Sequence, residues 1–196
     1  MTPTTLAPGE SATLTPPPRR LVTVDEFVRD YTDYTELEDG HVIEVAMPGG
    51  KHGRIGIKMA VFLENFASLN RLGRCVTLDT FVVTKSGPDT VRGMDIGYLS
   101  FQRLPENVEF EDGPVPVAPE LIVEVRSPSD RPGAVTKKVQ EYLNIGVIIV
   151  AVIDPKAKTV TVHRSPNQKE TFDESQTLTF EDVLPGFSVP VKALFE

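Results

Sequence analysis

Apolar residues recur along the chain at helical spacing in some segments and at strand spacing in others, and their order predicts a mixed α/β domain. Between His52 and Asn70, residues Ile55, Met59, Phe62, Leu63, Phe66 and Leu69 fall three and four apart, the spacing of an amphipathic helix laid on a sheet. Gly73 ends it. Arg74–Thr84 and Val91–Ser100 then read as strands around a turn at Lys85–Thr90. A loop rich in Pro and Glu, roughly Leu104–Pro119, leads into Glu120–Arg126, whose apolar run predicts burial on both faces. A helix follows from about Ala134 to Asn144, stopped by Gly146, and Val147–Ile153 is a second fully buried strand. Asp154-Pro155-Lys156-Ala157 turns that strand into the alternating Thr159–Arg164. Strand, helix, strand in this order predicts a right-handed parallel crossover inside a mixed sheet.

The flanking segments are shorter. Thr23-Val24-Asp25-Glu26 has the form of a capping box opening a helix through about Asp30. Glu36-Leu37-Glu38-Asp39-Gly40 brings an Asp-Gly turn into the strand His41–Val45, and Met47-Pro48-Gly49-Gly50 breaks it. The C-terminal part reads as a small hairpin with a short element at Phe180–Leu184, ending near Phe187–Phe195. Residues 1–20 carry much Pro and Thr without a hydrophobic period and read as a loosely attached, disordered tail before one domain, 21–196.

Composition narrows the class. With 196 residues, 40% of them hydrophobic and 24% charged, the chain suits a single globular domain with a real core. The single Cys75 excludes an internal disulfide and fits a reducing compartment. No apolar run approaches the roughly 20 residues that a spanning helix needs, and the N-terminus lacks the pattern of a secretory signal. A cytoplasmic protein without membrane contact is the expectation. The net charge of −8 argues against a general nucleic-acid coat protein, yet it leaves room for an acidic site neutralised by metal and a locally basic groove.

Chemistry enters with Glu124. A buried carboxylate costs several kcal/mol unless it is paired or binds a metal, and Glu124 stands between Val123 and Val125 in a core strand. Asp95, between Met94 and Ile96, is in the same position on another predicted strand. Two such carboxylates on adjacent strands suit one oxygen-ligated cation such as Mg²⁺ or Mn²⁺. Lys138, on the helix after the central strand, is placed to reach back over them and to orient water or stabilise phosphorane charge. No His or Cys pair has zinc spacing.

The ordered strings Glu36–Gly40, His52-Gly53, Arg92-Gly93-Met94-Asp95, Pro119–Asp130, Lys138–Tyr142, Ile145-Gly146-Val147, Asp154-Pro155 and Leu184–Phe187 together resemble the bacterial putative restriction endonuclease family of the PD-(D/E)xK superfamily. The resemblance spans about residues 22–195 and implies a restriction-endonuclease-like α/β core, with a central mixed sheet flanked by helices. It also implies metal-dependent hydrolysis of phosphodiester bonds in DNA. Asp95 takes the place of the motif's aspartate and Glu124 that of its second carboxylate, with the carbonyl of Val125 as a further ligand. Glu36 stands for the acid on an early element, and Glu44 competes with it. The position two after Glu124 holds Arg126 where the superfamily has lysine, and Lys138 fits the displaced lysine. Arg126 stays protonated and suits a phosphate clamp; Arg131 and His52 are further candidates for substrate contact. Many nucleases of this fold cut as dimers, so a homodimer is expected. Two rival functions remain open: a non-catalytic binding module on the same fold, and a metal hydrolase of small phosphoesters. A purely structural reading would instead pair Glu124 with an arginine.

Overall fold

The computed structural model describes residues 20–31, 34–130 and 132–196. Apart from Arg20, the segment read as a tail lies outside the described residues, and so does Arg131. Helix α1, Val24–Asp30, opens with the capping box: Thr23 Oγ1 accepts from the Glu26 amide at 3.3 Å and the Glu26 carboxylate accepts from the Thr23 amide at 3.1 Å. Strands β1, Thr35–Glu38, and β2, His41–Glu44, form a hairpin. Its two-residue turn puts Asp39 at φ 49° and Gly40 at φ 74°, the left-handed pair that a tight hairpin of this twist requires. The sequence pattern predicts only the turn and β2. With two glutamates in four residues, β1 reads as polar, although Glu36 and Leu37 are buried.

Helix α2, Gly50–Leu69, buries Ile55, Met59, Ala60, Leu63 and Ala67. The expected stripe is thus shifted: Phe62 and Leu69 lie outside it, at 36% and 84% exposure, because small alanines occupy the face closest to the sheet. Strands β3, Gly73–Lys85, and β4, Thr90–Ser100, pair antiparallel, and β5, Leu121–Val125, follows the long loop. Helix α3, Pro132–Asn144, crosses to β6, Ile149–Asp154, which runs parallel to β5. Strands β7, Thr159–Ser165, and β8, Gln168–Phe172, complete the order β2-β1-β4-β5-β6-β7-β8, with β3 also paired to β4. This is the predicted mixed sheet flanked by helices. Strands β9, Thr177–Phe180, and β10, Leu184–Pro190, form a separate hairpin ending in a 3₁₀ turn at Val191–Leu194.

Alternation along the central strands builds two cores. Leu121, Val123 and Val125 of β5 join α2, β9 and β10 on one face, whereas Ile122, Val150 and Val152 join Tyr142 of α3 on the other. A smaller cluster of Phe27, Leu37 and Val91 fixes α1 over the β1–β4 end. Among the described residues no helix is long and apolar enough to cross a membrane.

Candidate active site

One edge of β4 is shared. β1 meets it at Leu37↔Val91, and β5 meets it only from Ile96↔Val123 onward. Between those points, at residues 92–95, the sheet splits, and carboxylates take the place of the missing ladder. Glu36 Oε1 accepts from the Gly93 amide at 3.2 Å, and Asp95 Oδ2 accepts from the Val125 amide at 2.6 Å. Charge-assisted bonds to backbone amides satisfy donors that would otherwise be orphaned.

The strand is also bulged there. On β3, Thr77 pairs with Ile96 but Thr80 with Met94, so Leu78 and Asp79 together oppose Asp95. Both have left-handed φ, 63° and 56°. Across β4 the alternation resets: Met94 packs on the α3 face, while Ile96, two residues on, packs on the α2 face. The reset turns Asp95 into the split. Gly93 makes room for the bulge, since a Cβ there would sit 3.2 Å from Asp79 Cβ and from its carbonyl.

The split opens into a cavity of about 840 Å³ lined by Glu36, Glu44, His52, Asp95, Glu124 and Lys138, among others. Glu124, on the α3 face of β5, accepts from the Tyr142 hydroxyl on Oε1 at 2.7 Å. His52, in the first turns of α2, reaches Asp95 Oδ2 at 3.1 Å. Lys138 Nζ donates to Glu36 Oε1 at 2.6 Å. Glu36 also accepts from Arg92 Nη1 at 2.9 Å, and Arg92 in turn holds Glu38 at 2.8 Å and Glu141 at 2.7 Å. Glu44 is exposed on the cavity wall. Arg126 lines the cavity but donates to Asp154 at 2.6 Å, while its Nε is buried without a partner. Glu124 therefore pairs with a tyrosine, not with the arginine that a purely structural role would call for.

Three residues of this arrangement were not visible to pattern reading. Arg92 is 2% exposed yet charged, and its partners are far away in sequence. Tyr142 reads as core packing, which it is; its hydroxyl contact leaves no periodic trace. Asp79 is signalled only by the bulge. Two basic residues of α2 are tied to other parts of the fold. Lys51 donates to the Pro155 carbonyl at 2.7 Å, and Lys58 to the Ala193 carbonyl at 3.0 Å. They clasp other elements of the fold.

The fields in the split follow from its charges. Burial pushes the Glu124 carboxyl up to about 8 from 4.5, opposed by Lys138 and reinforced by Asp95. The hydrogen bond to Asp95 raises His52 against the cost of its burial, and burial followed by Asp95 raises Asp79. Attraction to Glu124 and Glu36 outweighs burial and holds Lys138 firmly protonated.

These shifts set a pH trend. A carboxyl whose folded pKa lies above its unfolded value binds its proton more tightly when folded, so stability falls as pH rises from about 4.5 to about 8. His52 acts in the same direction: its contribution is full below about 6.5 and is lost as pH rises through its raised folded value. Chelator-treated protein is expected to lose Tm across that window, and Glu124→Gln to flatten the fall. Melts of both proteins from pH 5 to 9 check this; parallel curves would refute the Glu124 assignment.

Similarity to known proteins agrees with this architecture. The profile of the Uma2 family, described as "Putative restriction endonuclease", matches residues 25–192. The chain belongs to the Uma2 family. A crystal structure described as a putative nuclease belonging to DUF820, from Anabaena variabilis ATCC 29413, superposes with a TM-score of 0.76 at 26% identity. The match covers 89% of this chain and 97% of that one. Comparison with curated proteins gives no match. The Uma2 profile and the structural neighbour both support a nuclease on a restriction-endonuclease-like fold.

Proposed function

We propose that this Uma2 chain is a metal-dependent endonuclease that hydrolyses phosphodiester bonds in DNA. One observation carries the reading: Asp95, Glu124 and Lys138 border one cavity at the split in β4. Among the described residues no three His, Cys, Asp or Glu side chains form a ready-made metal cage; the donors we assign are two carboxylates and a backbone carbonyl. Asp95 Oδ1 and Glu124 Oε2 accept no hydrogen bond among the described residues. The Val125 amide turns toward β4 while the Arg126 amide pairs with β6 at Ile153, so the Val125 carbonyl faces the split as well. Such hard oxygens fit Mg²⁺ or Mn²⁺. A bound divalent ion would supply Lewis-acid polarisation of the phosphate and a lowered pKa for the attacking water.

The chain's own groups do the rest. Lys138 carries a fixed positive charge beside the cavity, suited to orienting water and stabilising charge on the phosphate. Glu36 aims that ammonium. His52 and the Val125 amide fix Asp95 by the same oxygen. Lys137 and Arg126 also line the cavity and offer basic contacts for a DNA backbone. A two-fold homodimer would place two such cavities on the two strands of a duplex at once.

The experiment is nicking and linearisation of supercoiled plasmid with Mg²⁺ or Mn²⁺, against EDTA and against small phosphoesters. DNA cleavage lost in EDTA is expected. Arg126 at the usual lysine position, tied to Asp154, favours one alternative, a DNA-binding module without turnover. Binding without cleavage under any divalent ion would establish that instead.

A further inference from the structure

Both carboxylates at the split are half-committed to the protein. Asp95 gives Oδ2 to two partners, the Val125 amide at 2.6 Å and His52 at 3.1 Å. Glu124 gives Oε1 to the Tyr142 hydroxyl at 2.7 Å. Each side chain therefore keeps one oxygen for the cavity. Tyr142 is fully buried, one helical turn beyond Lys138 on α3, and packed with Ile122, Val139 and Val150.

We infer that Tyr142 is a specificity-determining positioning residue: by holding Glu124 Oε1 in a hydrogen bond it fixes the carboxylate's orientation, disfavours binding a cation through both oxygens, and so selects a small octahedral cation over Ca²⁺. The inference rests on the metal-site reading above. Ca²⁺ gathers six to eight oxygens at about 2.3–2.6 Å and commonly takes a carboxylate through both of its oxygens. Mg²⁺ needs six at about 2.0–2.1 Å, keeps several waters, and manages with one or two carboxylates. Two single-oxygen carboxylates and one carbonyl leave half of an octahedron to water. They leave Ca²⁺ short of ligands. Removing the hydroxyl frees Glu124 to turn both oxygens inward, which favours the larger ion.

The test measures binding of Mn²⁺ and of Ca²⁺ separately by titration calorimetry, without DNA, on wild type and Tyr142→Phe. Phe keeps the ring and its packing; Tyr142→Met is the second variant should Phe fail to fold, and near-UV circular dichroism checks both. Wild type is expected to prefer Mn²⁺. Either variant is expected to lose Mn²⁺ affinity about 10–100-fold, the usual effect of removing an outer-shell partner, and to narrow the Mn²⁺/Ca²⁺ ratio by about tenfold or more. An unchanged ratio in a folded variant overturns the role of Tyr142 while leaving the metal site standing. A wild-type protein that binds no Mn²⁺ overturns the metal site itself, and the inference with it.

Discussion

Truncating Arg92 to alanine is expected to lower folding stability by roughly 3–5 kcal/mol, the usual result of removing one partner from a buried ion pair. The Arg92 side chain is 3% exposed and its three carboxylate partners, Glu36, Glu38 and Glu141, are 4%, 33% and 17% exposed. Without the guanidinium, Glu36 keeps only Lys138 and the Gly93 amide among the described residues. Glu38 keeps Lys137. The more exposed pairs are screened by water and add less, so most of the loss comes from Glu36. Against a total of about 5–15 kcal/mol for a typical domain, such a change is large. Arg92→Lys keeps the charge but cannot present a planar fork to three carboxylates at once, and should recover only part. Urea unfolding of the three proteins measures this, and a loss below about 1 kcal/mol for the alanine variant would mean that the carboxylates relax into solvent.

The largest catalytic effect is expected at Asp95. Asp95→Asn preserves size and leaves an oxygen for the Val125 amide, but removes the charge at the split. Several kcal/mol of transition-state stabilisation are at stake at a metal-dependent site, so plasmid cleavage should fall by on the order of 10³-fold or more. The same substitution deprives His52 of the partner that raises it, and its titration, followed by NMR, should move down toward the ordinary histidine value. The two readouts separate cases. Wild-type cleavage with a shifted His52 would remove Asp95 from the reaction while keeping the contact.

Much of the fold is legible because the residues that build it announce themselves locally. The Thr23–Glu26 capping box, the apolar runs of β5 and β6 and the helix between them all depend on near neighbours. Glu124 and Asp95 stand out as charges within apolar runs. What stayed hidden is held by distance. Arg92 meets Glu141 and Glu36 across 49 and 56 residues of chain, so no local pattern marks it as buried. The split in β4 arises from the way two strands share one edge, which depends on register between distant segments. Phe62 and Leu69 fit the helical period of α2 yet lie outside its buried stripe, because spacing alone does not say whether the sheet covers their side of the stripe or the side of Ala60 and Ala67.

The β1–β2 hairpin joins the main sheet through one register pair, Leu37↔Val91, through the Gly40 amide on the Asp89 carbonyl at 2.7 Å, and otherwise through side chains, among them the Glu36 carboxylate on the Gly93 amide and the ion pairs of Glu36, Glu38 and Asp39. A segment attached in this way opens locally at lower free energy than the strands it borders. Its amide protons should therefore exchange with solvent sooner than those of β5 and β6, and sooner still at high ionic strength, where the part-exposed pairs weaken. Because Glu36 rides on that hairpin, each such opening also frees the Lys138 ammonium, tying the lifetime of the assembled cavity to the breathing of eight residues at the sheet's margin.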